Sequence, residues 1–105
     1  MSGSFGELGS LLKQAQQMQR DLDKVREELR NMTVEGVAQG VTVLVAGDRQ
    51  IVKVEISDEL LAAGDKGVLE DLLLLALRDG VGKASKLAEE KMGKVTGGVN
   101  LPGLF

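Results

Sequence analysis

From Leu8 onward the apolar residues fall at Leu8, Leu11, Ala15, Met18, Leu22, Val25, Leu29 and Met32, in alternating steps of three and four. Side chains three and four apart share one face of a helix, so this spacing is a heptad stripe on a helix of about 25 residues. Between the stripe positions stand Gln14, Gln16, Gln17, Gln19 and Arg20 and then the charged stretch Asp21 to Arg30, helix formers suited to water. So regular a stripe predicts that the N-terminal half of the helix packs against another helix and not on a sheet.

From Thr33 the pattern turns to β-branched residues cut by glycine. Val41 to Ala46 reads as a strand, ended by the turn Gly47-Asp48-Arg49-Gln50, and Ile51 to Ile56 as a second with alternating sides. The short turn makes these two an antiparallel hairpin, and Thr33 to Ala38 supplies a third strand. Strand 41 to 46 is apolar on both faces apart from Thr42, which predicts cover on both sides.

Ser57-Asp58-Glu59-Leu60-Leu61 suits a single helical turn capped by Ser57 or Asp58. Asp65 then caps a long helix over 66–95, with Glu70 and Asp71 early and Lys91 and Lys94 late, as the helix dipole favours. Its first half holds the run Leu72 to Leu77, apolar all the way round, which requires neighbours on every side. Beyond it Gly80, Gly82, Ala84, Ser85 and Ala88 are small enough to admit a second helix at close range. The class is α+β, in the order α-β-β-β-α: a small antiparallel sheet with two long helices, forming a single domain over 1–95. Residues 96–105, glycine-rich and holding the only proline, are expected to be a flexible tail.

A helix of 27 residues spans roughly 40 Å and a six-residue strand roughly 20 Å, so both helices must overhang the sheet. The simplest packing sets them antiparallel, the N-terminal end of one beside the C-terminal end of the other, as an arm on a body. Strand 41 to 46 and the leucine run would remain uncovered in one chain, which predicts a homodimer joined through Val43, Val45, Leu72, Leu74 and Leu75.

Composition narrows the chemistry. The 105 residues include no Cys, His, Trp or Tyr, and the only aromatics are Phe5 and Phe105. No thiol nucleophile, imidazole base or ordinary zinc site is available, so no enzyme, metal or cofactor is expected. The carboxylate pairs Glu27-Glu28, Asp58-Glu59, Glu70-Asp71 and Glu89-Glu90 point about 100° apart on a helix and do not converge. Gly80-Val81-Gly82-Lys83-Ala84 fails as a phosphate loop, because Leu77 stands where its first glycine belongs and Ala84 where its hydroxyl belongs. The N-terminus lacks a cationic region followed by an apolar stretch, and the longest apolar run is Leu72 to Leu77. No signal peptide or membrane span is expected, and a cytoplasmic location follows.

The net charge of -3 hides an asymmetry. Arg78 to Lys94 holds five bases against three acids, and residues 1–20 hold Lys13 and Arg20 against Glu7, whereas residues 48–71 hold three bases against seven acids. Basic arms on an acidic body suit contacts to phosphates without base reading. Scarce aromatics favour a duplex backbone over unpaired bases.

The segment Leu11-Leu12-Lys13-Gln14-Ala15-Gln16-Gln17-Met18-Gln19, then Leu69-Glu70-Asp71-Leu72 with Ala76 and Asp79, and the ending Glu90-Lys91-Met92 to Leu101-Pro102-Gly103, closely resemble the YbaB/EbfC family of bacterial nucleoid-associated proteins. The resemblance covers nearly the whole chain. It implies a tweezers-like homodimer that binds double-stranded DNA with little sequence preference, organising the bacterial chromosome within the nucleoid. Carried onto the matching helices, it makes Lys13, Arg20, Lys83, Lys86, Lys91 and Lys94 phosphate contacts. Gly80 stands where the family usually has alanine and Gly82 adds a second glycine, which predicts a more flexible distal arm. The alternative is a protein-binding or chaperone-like module, in which paired helical arms hold a client through the adaptable side chains of Met18, Met32 and Met92.

Overall fold

The computed structural model describes residues 2–97, with side chains described from Gly6 onward. In chain order, α1 spans Ser2–Arg30, β1 Thr33–Ala38, β2 Val41–Ala46, β3 Ile51–Ile56, α2 Asp58–Ala62 and α3 Lys66–Val95. The three strands form one antiparallel sheet in the order β1-β2-β3. The caps are those the sequence specifies: Ser57 accepts from the Leu60 N–H at 3.1 Å and Asp65 from the Val68 N–H at 3.1 Å. Each satisfies one of the amides that a helix start leaves without a partner.

Cross-strand partners share a face, and the register places Val34 beside Val45, Gly36 beside Val43 and Ala38 beside Val41. On that face α3 lies over β1 and β2, and Val41, Val43, Val45, Ala76 and Ala84 form the core between them. The approach is close because glycine faces glycine. A Cβ on Gly36 would collide with the α3 backbone at Ala76 and Gly80, and one on Gly80 would meet Val45 Cγ2 at 2.7 Å.

This packing corrects two expectations. Val43 and Val45 are 0% exposed within one chain, because α3 rests directly on them, so neither offers surface to a second copy. Leu72 is half-buried against the same core, while Leu74 and Leu75 remain exposed. Gly80 is buried in the helix–sheet seam, where its bare backbone sets the packing distance, and so is not part of a flexible distal arm. Further uncovered apolar surface lies on β3, where all six residues are exposed, Ile51, Val52, Val54 and Ile56 among them. Val54 and Ile56 pair with Val43 and Val41 and so face the α3 side. β3 lies beyond the two strands that α3 covers.

A second cluster, Leu22, Leu29, Ala88 and Met92 with Val25, Leu87 and Val95 around it, joins the C-terminal third of α1 to the end of α3. The helices are antiparallel, but their meeting place differs from expectation. The first half of α3 is spent on the sheet, so its last turns reach only the stretch of α1 nearest the sheet. Residues 10–20 of α1 are exposed along their whole length, and Leu11 is 61% exposed. The N-terminal half of the heptad stripe therefore has no helical partner among the described residues. A helix of 29 residues is about 43 Å long, and the chain measures 76 × 20 × 15 Å. Its radius of gyration of 20.3 Å far exceeds the ~13 Å of a compact domain this size.

At the C-terminal end of α3, Thr96 is buried and its hydroxyl donates to the carbonyls of Met92 and Gly93 at 3.4 and 3.3 Å. The first two residues of the expected tail, 96 and 97, thus belong to the described part, and residues 98–105 lie outside it.

Candidate nucleic-acid interface

The basic residues singled out by sequence occupy three different settings. Lys13 and Arg20 stand on the projecting half of α1, both exposed; Arg20 donates to Gln17 Oε1 at 3.1 Å and is otherwise open to solvent. Lys86 and Lys94 are exposed on the last turns of α3 and make no ion pair among the described residues. Lys91 is half-buried, 3.8 Å from Glu28 of α1, and ties the two helices of the arm together.

Lys83 belongs to the body. Its ammonium donates to Asp79 at 3.0 Å and to the Glu35 carbonyl at 2.9 Å, while Asp79 also accepts from the Val37 N–H at 2.9 Å. That backbone donor, with Lys83 beside it, holds the Asp79 carboxyl below its ordinary pKa. The pair fastens α3 along β1. Two of the three ammonium N–H groups of Lys83 are thus engaged within the chain.

The structure also brings together cations that sequence spacing does not connect. The Gly47 N–H donates to the carbonyls of Leu29 and Met32 at 2.9 and 3.0 Å, which docks the β2–β3 turn onto the end of α1. Only glycine allows it, since a Cβ there would lie 2.6 Å from the Leu29 carbonyl oxygen. The result is a cavity of about 260 Å³ at the elbow between arm and body, lined by Arg26, Arg30, Arg49, Asp48, Leu29, Ala88 and Met92. In the sequence Arg26 and Arg30 pass for a solvated helix face and Arg49 for a turn residue. The one signal that could have linked them is Gly47, placed where the turn must touch something.

No helix among the described residues is long and apolar enough to cross a membrane. The arm presents separate exposed cations on a long rod, which suits an extended polyanion.

Comparison with known proteins agrees with this geometry. A nucleoid-associated protein of Chloroflexus aurantiacus is 47% identical over 97 residues, covering 90% of this chain and 95% of the relative. One from Acetivibrio thermocellus is 41% identical over 106 residues, covering 98% and 94%. The crystal structure of an uncharacterized Helicobacter pylori protein shares the fold, with a TM-score of 0.71 at 23% identity over 88% of this chain and 96% of that one. The model of the YbaB/EbfC DNA-binding family matches residues 5–99, and with arm, sheet and helix order in agreement, the chain belongs to that family.

Proposed function

We propose that this protein is a nucleoid protein that binds double-stranded DNA through its phosphates, without reading base sequence, as a homodimer with two helical arms. The observation that carries the reading is the projecting arm itself, with Lys13 and Arg20 on α1 and Lys86 and Lys94 on α3 exposed to solvent. Each of the four is a separate exposed cation on a helix, which suits a backbone contact. Lys91 and Lys83 contribute less, since both are engaged within the chain. Dimerisation is supported by the exposed apolar face of β3 and by Leu74 and Leu75 on α3, surface that a monomer would leave wet.

The test is fluorescence anisotropy of a duplex titrated with protein at several salt concentrations. Charge-driven binding weakens linearly on a log–log plot, by about 0.9 in slope for each phosphate neutralised. Lys13→Glu with Lys86→Glu should weaken binding of unrelated duplexes equally and flatten that slope. Binding indifferent to salt, or unchanged in the double variant, refutes the reading.

A second reading has one observation in its favour. Leu8, Leu11, Leu12 and Met18 are exposed on the arm, an apolar strip that a purely electrostatic DNA contact does not use and a protein client could. Suppression of client aggregation that added duplex fails to compete would favour it.

A further inference from the structure

The elbow cavity gathers three guanidinium groups, from Arg26, Arg30 and Arg49, over an apolar floor of Leu29, Ala88 and Met92. One carboxylate, Asp48, also lines it, and that side chain accepts from the Gln50 N–H at 3.3 Å within the turn. Arg26 and Arg30 each hold a carboxylate one helical turn back, Asp23 at 2.9 Å and Glu27 at 3.0 Å. Each contact uses one Nη of a five-donor fork, so both keep N–H groups for another acceptor.

Arg49 has no such partner among the described residues, and its backbone lies at φ 71°. Left-handed backbone is costly for a residue with a Cβ, and glycine or asparagine would hold the turn more easily. At that backbone position the long cation lines the same cavity as the other two.

We propose that this elbow is a binding site for an organic phosphate, either a phosphodiester of duplex DNA or the phosphate of a free nucleotide. Arginine forks match phosphate oxygens two at a time. Only Asp48 lines the cavity itself, and Asp23 and Glu27 balance Arg26 and Arg30 from one helical turn back. What a phosphate meets there is the unused N–H groups of the forks and Arg49, unpaired among the described residues, not an excess of positive charge. The apolar floor takes the sugar or base attached to it. The duplex alternative rests on the DNA-binding reading above; the nucleotide alternative does not.

The experiment uses the full-length chain as wild type, Arg26→Gln with Arg49→Gly, and Arg26→Gln with Arg49→Lys. Each is titrated with AMP by calorimetry and with a labelled duplex by anisotropy, at low salt. Glycine suits the turn at position 49, so the thermal midpoint of the glycine variant should not fall, which separates lost binding from lost folding. At least one ligand should bind the glycine variant more weakly by about fivefold or more, and the lysine variant should recover part of that loss. Loss confined to AMP identifies a free nucleotide, and loss confined to the duplex identifies the DNA backbone. A smaller loss for both ligands, or a wild type that binds neither, overturns the proposal. Duplex binding that survives in the elbow variant but fails in the arm variant, with AMP binding unchanged at the elbow, overturns this site and keeps the DNA reading. AMP binding lost at the elbow of a protein that binds no duplex does the reverse.

Discussion

Replacing Gly36 with alanine should destabilise the fold, although strand propensity argues the opposite. In a strand interior glycine is about 0.5–1 kcal/mol less favourable than alanine, so on backbone entropy alone Gly36→Ala would be a gain. The new methyl, however, would stand 2.6 Å from Gly80 Cα and in collision with other backbone atoms of α3. Carbon atoms rest about 3.5–4.0 Å apart, so the helix would have to lift by about 1 Å. A gap of that size forfeits roughly a quarter to a half of each dispersion contact across it, and it opens over Val41, Val43 and Val45. The overlap is with backbone and cannot be relieved by a rotamer, so the cost belongs at the upper end of overpacking, about 3 kcal/mol. Gly82→Ala is the control: the site lies within α3 with nothing within 4 Å of the added Cβ, and the expected gain is about 1 kcal/mol. Urea unfolding followed by circular dichroism, at one fixed protein concentration, measures both. A Gly36→Ala variant as stable as the wild type would refute the reasoning.

Val54→Asp with Leu75→Asp should leave the monomer fold intact, since both side chains are already exposed; sedimentation should shift from dimer to monomer, and an unchanged dimer would remove β3 and the flank of α3 from the interface. Asp79 titrates below its ordinary value in the folded chain, so the stability it contributes is complete above the unfolded carboxylate value near 3.8 and is lost as pH falls through the lower folded value. Asp79→Asn should therefore lower the thermal midpoint at pH 7 and converge with the wild type in strong acid. A difference that persists there would mean that the side chain acts through shape and not through charge.

The elements were legible because their signals are local. Ser57 and Asp65 cap what they should cap, and the change of period at Thr33 marks where β1 begins. Contacts between elements were less legible. Val43 and Val45 sit on a strand apolar on both sides, and that pattern cannot say whether the cover comes from the same chain or a second one. Glycine at position 80 reads as helix weakness until Gly36 is known to lie across from it. The elbow arginines are separated by 19 to 23 residues from turn to helix, and the Gly47 amide docks one onto the other.

One spacing explains both the arm and the division among its lysines. The buried positions of α3 are Ala76, Gly80, Ala84, Ala88 and Met92, always four apart. At about 100° per residue, a step of four overshoots a full turn by about 40°, so the seam rotates by about 160° along those five positions. A single row of mostly small residues can therefore face the sheet at its start and α1 at its end, which is where the two clusters lie. Lys83 and Lys91 each precede a seam position by one, about 100° from it. They lie at the margins of the packed face, where they meet Glu35 and Glu28. Lys86 and Lys94 each follow a seam position by two, about 200° round, and so point away from the packing. The step of four that closes the core thus also decides which cations remain available for a phosphate.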